Sequence, residues 1–584
     1  MADGRKLRRW GLMSLVRPTR SVLVLGTAIL VVTWLSVRAN GSNAAQTPDA
    51  SPGADQAHTA ETADVEAAMH AIQGASIRAD MGFLADDLLE GRGAATRGHE
   101  IAAKFMASQF EAMGLQPGGD HGSFFQVVPL RSIRVDEAKT SFTMIRDGKE
   151  QALVSRQDYI AAPDPSRKET SVEASVVFVG YGVSAPELGY DDYQGVDVKG
   201  KIVAFTSGAP PSFETSLRAH HSDDEMKLAD AADRGAVGIL ELYDPVLEEI
   251  YSFKEQVRDL AFPQLRWLDP QGKPNDYAPE VLGGGFLSLD GVQKLLEGSG
   301  HTSEEIFAAA KAGKPRSFVL PIRMRIHTMT ELEDVHSPNV VAKLPGSDPK
   351  LRDEYVVYTA HLDHLGIGEA VKGDTIYNGA LDNASGSADL LEIARAFTQL
   401  PRRPRRSVLL VAVTGEEAGL LGSDYFSRFP TVPKDSMVAN INMDEDLMLW
   451  PLEDLIVYGA DHSSLGSVAE QAAKRLHLQL SPDTQPEQVF FIRSDQYSFV
   501  KQGVPAIAAS AGMKSSSAQE IDKYWEEHIY HQPQDDMTQS FNLEAGAAYA
   551  RFNFLCGYIV AQASPRPTWN EKDFFGEQYG RKAK

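Results

Sequence analysis

The sequence predicts an α/β protein: a mostly parallel mixed sheet flanked by helices, with an inserted β-rich domain. Three observations carry this. After His336, apolar runs such as "EYVVYTA", "SVLLVAV", "MVANINM", "DLIVYGA" and "VPAIAAS" alternate with helix-patterned segments such as "ADLLEIARAFTQL". Strands alternating with helices imply a layered domain around a largely parallel sheet. Residues 141–327 have another texture, with strand runs separated by turn chemistry. Finally, histidines and carboxylates recur just after the late strands, at the sheet edge where α/β proteins place their sites.

Size and composition set the frame. A chain of 584 residues exceeds one ordinary domain, and 43% hydrophobic residues supply a sizeable core. A net charge of −23 argues against a nucleic-acid partner. The single cysteine, Cys556, excludes an intramolecular disulfide.

Along the chain, residues 1–20 form a basic segment, residues 21–37 are apolar and uncharged, and residues 38–63 are a small, polar, low-complexity linker read as disordered. A basic segment followed by an apolar one is an export signal. Seventeen apolar residues also suffice for a tilted span, so cleavage and retention as an anchor both stay open. The charge bias sends the rest of the chain out of the cytoplasm, to a periplasmic, extracellular or anchored location. Membrane contact is expected only through this segment, if uncleaved. No cysteine stands directly after it, which argues against a lipoprotein anchor.

Residues 64–140 open the main domain. Ala102, Phe105, Met106, Phe110 and Met113 fall at helical spacing and Gly114 ends the helix; "SFFQVVPL" is a strand. Residues 141–327 form the insert, with strands "SVVFVGYG", "KIVAFTSG" and "AVGILEL" and a helix over "KLADAADRG". Its adjacent His220 and His221 read as solvated. Residues 328–565 complete the main domain and residues 566–584 form a tail.

The chemistry-bearing residues stand at the strand ends. His361, Asp363 and His364 follow "EYVVYTA"; Asp382 precedes a helix; Glu416 and Glu417 follow "SVLLVAV"; Asp444 ends "MVANINM"; His528 and His531 lie downstream. These are the side-chain types that bind divalent metal. The neighbouring Glu416 and Glu417 repel each other and resist burial, so positive charge is expected beside them.

The motifs "AHLDHLG", "YNGALDNASG", "GEEAGLLGS", "NINMD", "RSDQYSFVKQGVPAI" and "YHQPQDD" occur in one register over residues 335–563. In these the chain resembles the exported co-catalytic zinc peptidases, the family of bacterial leucyl aminopeptidases and glutamate carboxypeptidase-like enzymes. "LLEGRG" resembles that family's N-terminal segment, and "FVGYGVSAP" through "VKGKIV" resembles a protease-associated domain.

The resemblance implies a zinc exopeptidase fold and two zinc ions. His361 and Asp444 would hold one, Glu417 and His531 the other, and Asp382 would bridge them. Asp363 would hydrogen-bond the second nitrogen of His361, and Glu416 would be the general base. Tyr497 and Arg493 are candidates for oxyanion or substrate contacts. The implied activity is removal of N-terminal residues from peptides.

Some positions depart from the family pattern. Leu381 stands where an aspartate is common and Gln496 where a histidine is common; Glu445 and Asp446 make the stretch after Asp444 unusually acidic. His364 and His528 lie off the pattern and read as structural or supporting side chains. Asn383 and Asn40 are sequons by pattern.

A carboxypeptidase or an amidase would share the chemistry. Arginines would then receive a terminal carboxylate, where an aminopeptidase needs acids such as Glu445 or Asp446 for the α-amine. A metal-free binding module would lack several of the five ligands, all of which are present here. The sequence leaves oligomeric state open.

Overall fold

Strand Phe318–Leu344 runs 27 residues and belongs to two sheets. Its first part pairs antiparallel with Ser141–Arg146 and Glu169–Phe178, its second with Phe125–Val135 and Ser407–Val413. The computed structural model describes residues 54–581. The segments 1–20 and 21–37, with the export reading they carry, lie outside the described residues. Helix Ala54–His70 begins within the stretch read as linker; its six alanines favour helix over coil. Among the described residues, no helix is long and apolar enough to cross a membrane.

The main sheet runs in the order Gln264–Trp267, Phe125–Val135, Phe318–Leu344, Ser407–Val413, Tyr355–His361, Met437–Met443, Ala506–Ala511, Asp454–Tyr458, Gln479–Leu480. The strands from Ser407–Val413 to Ala506–Ala511 are parallel neighbours, and Asp454–Tyr458 runs antiparallel beside them. Alternate residues feed two layers. Val356, Tyr358 and Ala360 face a core shared with helices Gly386–Gln399 and Leu543–Gln562, and Val357 faces the opposite side, with Phe426 and Phe499. Burial on both faces explains why these strands are apolar without alternation.

Winding sets the site. Tyr355–His361 is central; the next strand of this sheet in sequence, Ser407–Val413, lies on one side and the one after, Met437–Met443, on the other. Such a reversal opens a crevice at the carboxyl ends of the strands, where His361, Glu416, Glu417 and Asp444 emerge.

The insert is α/β rather than simply β-rich. Strands Glu169–Phe178, Ile202–Thr206, Gly238–Leu242 and Gly284–Leu287 are parallel. Helices Thr215–Ser222, Asp224–Asp233, Pro245–Ile250, Phe253–Asp259, Leu289–Leu296 and Ser303–Lys311 lie among and after them. These helices are too short for a clear apolar period, yet each carries a side-chain N-cap: Glu214, Asp223, Asp244, Ser252, Ser288 and Thr302.

His220 and His221 are buried, against the solvated reading. Helix Thr215–Ser222 packs against Phe574, Phe575 and Tyr579 of the C-terminal segment, and the His220 ring meets all three. Burial, then His221 and Lys501, hold the His220 imidazole down at about 3. The folded state therefore keeps this ring neutral while the unfolded chain takes up a proton below about 6.5. Stability is lost as pH falls from about 6.5 toward 3. At pH 5 the loss from this group is about 2 kcal/mol. Melting curves at pH 7.5 and 5 are expected to show a smaller acid-induced drop for His220→Gln than for the parent chain.

Candidate metal centre and active site

Asp382 is the hub. It lies in the turn leading into helix Gly386–Gln399, with Oδ1 3.2 Å from His361 Nε2 and Oδ2 3.2 Å from His531 Nε2. On the first side, His361 Nε2 also lies 2.9 Å from Asp444 Oδ1. On the second side, Glu417 Oε2 lies 3.2 Å from His531 Nε2, and its Oε1 lies 2.5 Å from His364 Nδ1. All five residues expected as ligands thus meet around one carboxylate.

His364 lies beside them, its contact with Glu417 consistent with a supporting side chain and its position also within reach of a metal. It offers a donor atom within 4.8 Å of donors on Asp382 and Glu417, as His361 does with Asp382 and Asp444, and with Glu416 and Glu417. His528 stays away, half-exposed on helix Ser516–His528.

The electrostatics demand cations. Burial opposes charge on Asp382, but His364, His361 and His531 hold it well below the usual carboxylate range. Burial and Asp382 oppose charge on Glu417, yet His531 and His364 hold it near 2. Burial disfavours the His361 imidazolium, but Asp444, Glu416 and Asp382 push that ring well above the ordinary histidine value. Burial, with Asp444, Glu417 and Asp495 close by and His361 opposing, drives Glu416 well above the usual glutamate value. Asp382, Glu416, Glu417, Asp444 and Glu445 crowd one crevice, a cost that divalent cations would offset. Imidazole and carboxylate donors in this arrangement fit zinc.

Supporting contacts fix the ligands. Asp535 accepts hydrogen bonds from the Leu381 and Asp382 amides, which gives the departure at Leu381 a structural role through its backbone. Asn383 accepts from the Gly386 and Glu445 amides and donates to the Met443 carbonyl; this burial rules out a glycan there. Ser494 donates to Asp444. Arg92, fully buried in "LLEGRG", donates to the carbonyls of Leu84, Leu362, Asn378 and Gly379, tying together the two ligand loops.

Three expected roles change. Asp363 meets His361 Nδ1 through its backbone carbonyl at 3.2 Å; its carboxylate instead accepts from the Glu416 amide at 3.3 Å, and so places the loop carrying Glu416. Tyr497 is buried away from the crevice, its hydroxyl 2.5 Å from His220 Nδ1. Asp446 is buried beside Asp389 rather than facing the site.

Arg493 does line the site. A cavity of about 90 Å³ is walled by His361, Asp382, Glu416, Asp444, Glu445, Arg493, Glu526, Tyr530 and others. Tyr530, missed in the sequence although it precedes His531, stacks on that ring at 3.9 Å and accepts from Arg493 at 3.0 Å. Gln496 also borders this cavity, with its amide engaged by Asn442 and Phe491.

A second, far larger cavity of about 1580 Å³ reaches the other side of the centre at His364, Glu417 and His531. Its opposite wall is the insert: Ser207, Gly208, Asp244 and Pro245 follow the carboxyl ends of strands Ile202–Thr206 and Gly238–Leu242. Both sheets turn their carboxyl edges to one chamber.

This fold and donor set define an α/β protein with a metal centre at the switch point of its sheet. Residues 339–553 match Peptidase family M28. That segment holds every ligand named above, and for it the resemblance to zinc peptidases stands.

Three curated relatives match over shorter stretches. A probable zinc metalloprotease of Leptosphaeria maculans is 36% identical over 112 residues, 19% of this chain and 24% of that protein. Aminopeptidase NAALADL1 of Mus musculus is 34% identical over 129 residues, 21% of this chain and 15% of its own. Leupeptin-inactivating enzyme 1 of Streptomyces exfoliatus is 29% identical over 168 residues, 29% of this chain and 34% of its own. The chain thus spans about a third or less of these relatives' lengths. Among solved structures, an aminopeptidase from Aneurinibacillus sp. strain AM-1 aligns with a TM-score of 0.49 at 18% identity, covering 85% of this chain and 95% of that one.

The placement of Tyr497 has a direct test. Tyr497→Phe removes the hydroxyl that meets His220. The expected result is turnover within about twofold of the parent with roughly 1 kcal/mol lost in thermal stability. Loss of an oxyanion donor would instead lower kcat by about 10²–10³.

Proposed function

We propose that the protein is a zinc-dependent exopeptidase that removes N-terminal residues from peptides. The observation that carries this is the geometry of Asp382, whose two oxygens face two separate donor groups while Glu416 borders the adjoining cavity. His361, Asp382 and Asp444 would hold one ion. Asp382, Glu417 and His531, with His364 in reach, would hold the other. Zinc bound there supplies Lewis acidity toward water and toward a substrate carbonyl.

The chain's own groups do the rest. Glu416 borders the cavity beside the donor set and serves as general base: it takes the proton of the attacking water and passes it to the leaving amine. Asp363 keeps the Glu416 loop in place through the backbone amide. Tyr530 accepts from Arg493 and retains its own O–H, which can donate to a developing oxyanion. The insert, similar in sequence to a protease-associated domain, covers the chamber and excludes large folded substrates.

Charge favours the aminopeptidase over the carboxypeptidase. The small cavity is bordered by Glu445, Asp522 and Glu526 against Arg493. A free ammonium is attracted to that balance and a terminal carboxylate is repelled. The aminopeptidase name of the Mus musculus relative supports the same choice. The basic and apolar N-terminal segments support export, with the catalytic part outside the cytoplasm.

Hydrolysis of aminoacyl-anilides, N-blocked peptides and a C-terminal glutamate dipeptide tests the reading. Only free-amine substrates should be cut. Glu416→Gln should lower kcat by about 10²–10⁴ while zinc content is retained. Chelation should abolish turnover and added zinc restore it. Cleavage of the blocked substrates would favour the amidase or carboxypeptidase.

A further inference from the structure

The cavity of about 90 Å³ behind His361 and Asp444 has a definite back wall. Side chains alternate along a strand. In the antiparallel pair Asp454–Tyr458 and Ala506–Ala511, Ile456 lies opposite Ser510 and Tyr458 opposite Ala508. The other face of this pair, with Leu455, Ala509 and Ala511, is packed in the main core. Ile456, Tyr458, Ala508 and Ser510 therefore form the wall, each large side chain facing a small one across the ladder. Leu447, Phe490 and Met513 also border the space.

Its polar border is acidic. Glu445 is set by a left-handed backbone conformation (φ 50°) and by its amide, which donates to Asn383 Oδ1 at 3.3 Å. Glu526 and Asp522 come from one face of helix Ser516–His528, four residues apart. The one guanidinium, Arg493, donates to Tyr530 at 3.0 Å and to the Gln488 side chain at 3.2 Å. Burial raises the pKa of all three carboxyls, and with a single guanidinium beside them an incoming ammonium would offset part of the cost of ionising them.

Volume decides the rest. An apolar cavity of about 150 Å³ admits benzene. By proportion, 90 Å³ holds roughly three to four heavy atoms, fewer than a phenyl ring.

We propose that this pocket seats the side chain of the substrate's N-terminal residue, with the ammonium at its acidic border, and selects a small, uncharged side chain. Hydrogen, methyl, hydroxymethyl and isopropyl side chains fit. Glu445 receives the ammonium, and the Ala508–Ser510 face sets the depth. The assignment rests on the aminopeptidase reading, names its substrate class and makes Glu445, Ala508 and Tyr458 specificity-determining residues.

The test uses the full chain loaded with zinc and two readouts. The first is kcat/KM on the p-nitroanilides of glycine, alanine, valine and phenylalanine. The second is calorimetric binding of free L-alanine, L-valine and L-phenylalanine, which needs no turnover. Alanine and valine are expected to exceed phenylalanine at least tenfold in both, since one methylene in a tight pocket is worth about 10–200-fold. Tyr458→Ala should raise the phenylalanine-to-alanine ratio at least tenfold. Ala508→Leu should abolish the valine signal and spare glycine. Glu445→Gln should raise KM on every free-amine substrate at least tenfold with little change in kcat.

Equal handling of phenylalanine and alanine by the parent chain overturns the proposal. So does a ratio that neither wall variant moves. If no anilide is cut but alanine still binds at least tenfold more tightly than phenylalanine, and Ala508→Leu abolishes valine binding, the pocket assignment stands and the aminopeptidase reading falls. If nothing is cut and no amino acid binds, both fall.

Discussion

Buried negative charge at one edge of a parallel sheet is the constraint around which the molecule is arranged. Asp382 touches imidazoles on two sides, and Glu416, Glu417, Asp444 and Glu445 crowd the same crevice. Isolated buried carboxylates cost several kcal/mol each. Among the described residues no lysine or arginine pairs directly with these carboxylates; Arg92 and Arg493 reach them only through their field and donate to carbonyls, to Tyr530 and to Gln488. Divalent cations would resolve it, and the proposed pair would take the imidazoles as neutral co-ligands.

Rigid backbone around the donors makes that arrangement usable. Asp535 grips the amides of Leu381 and Asp382, and Asn383 joins the Asp382 turn to Met443 and Glu445. Ligands held this way need little reorganisation when an ion or substrate arrives. Strand Phe318–Leu344 extends the same rigidity to the insert, so the chamber wall is continuous with the catalytic sheet and is not a separately tethered lid.

Much of this was legible in the sequence, for stated reasons. Strands buried on both faces must be apolar throughout, so "VVYTA", "SVLLVAV" and "MVANINM" stand out, and the residues after them fall at the site. The reversed direction of Asp454–Tyr458 leaves no trace in composition. The insert's helices are too short to show a period, although their caps are visible one by one. His220 and His221 sit in a polar stretch yet are buried, because a helix of eight residues hides its inner face among charged neighbours.

The site shows the same division. Residue type and strand-end position identify the ligands, but orientation decides the rest. Tyr497 and Tyr530 both lie beside site motifs; the short helix Gln496–Val500 carries Tyr497 to the far side, while Tyr530 stacks on His531. Asp363 contacts His361 with its carbonyl and not its carboxylate, a distinction that spacing cannot make. Arg92 lies about 270 residues before the loops it ties, so only the fold reveals it. The most direct measurement is zinc content per chain, by mass spectrometry of the purified protein and of Asp382→Asn. Two zinc ions in the parent chain, with weakened binding of both in the variant, are expected if Asp382 is shared. A single ion in the parent chain, or two retained unchanged by Asp382→Asn, would contradict a bridged two-metal centre.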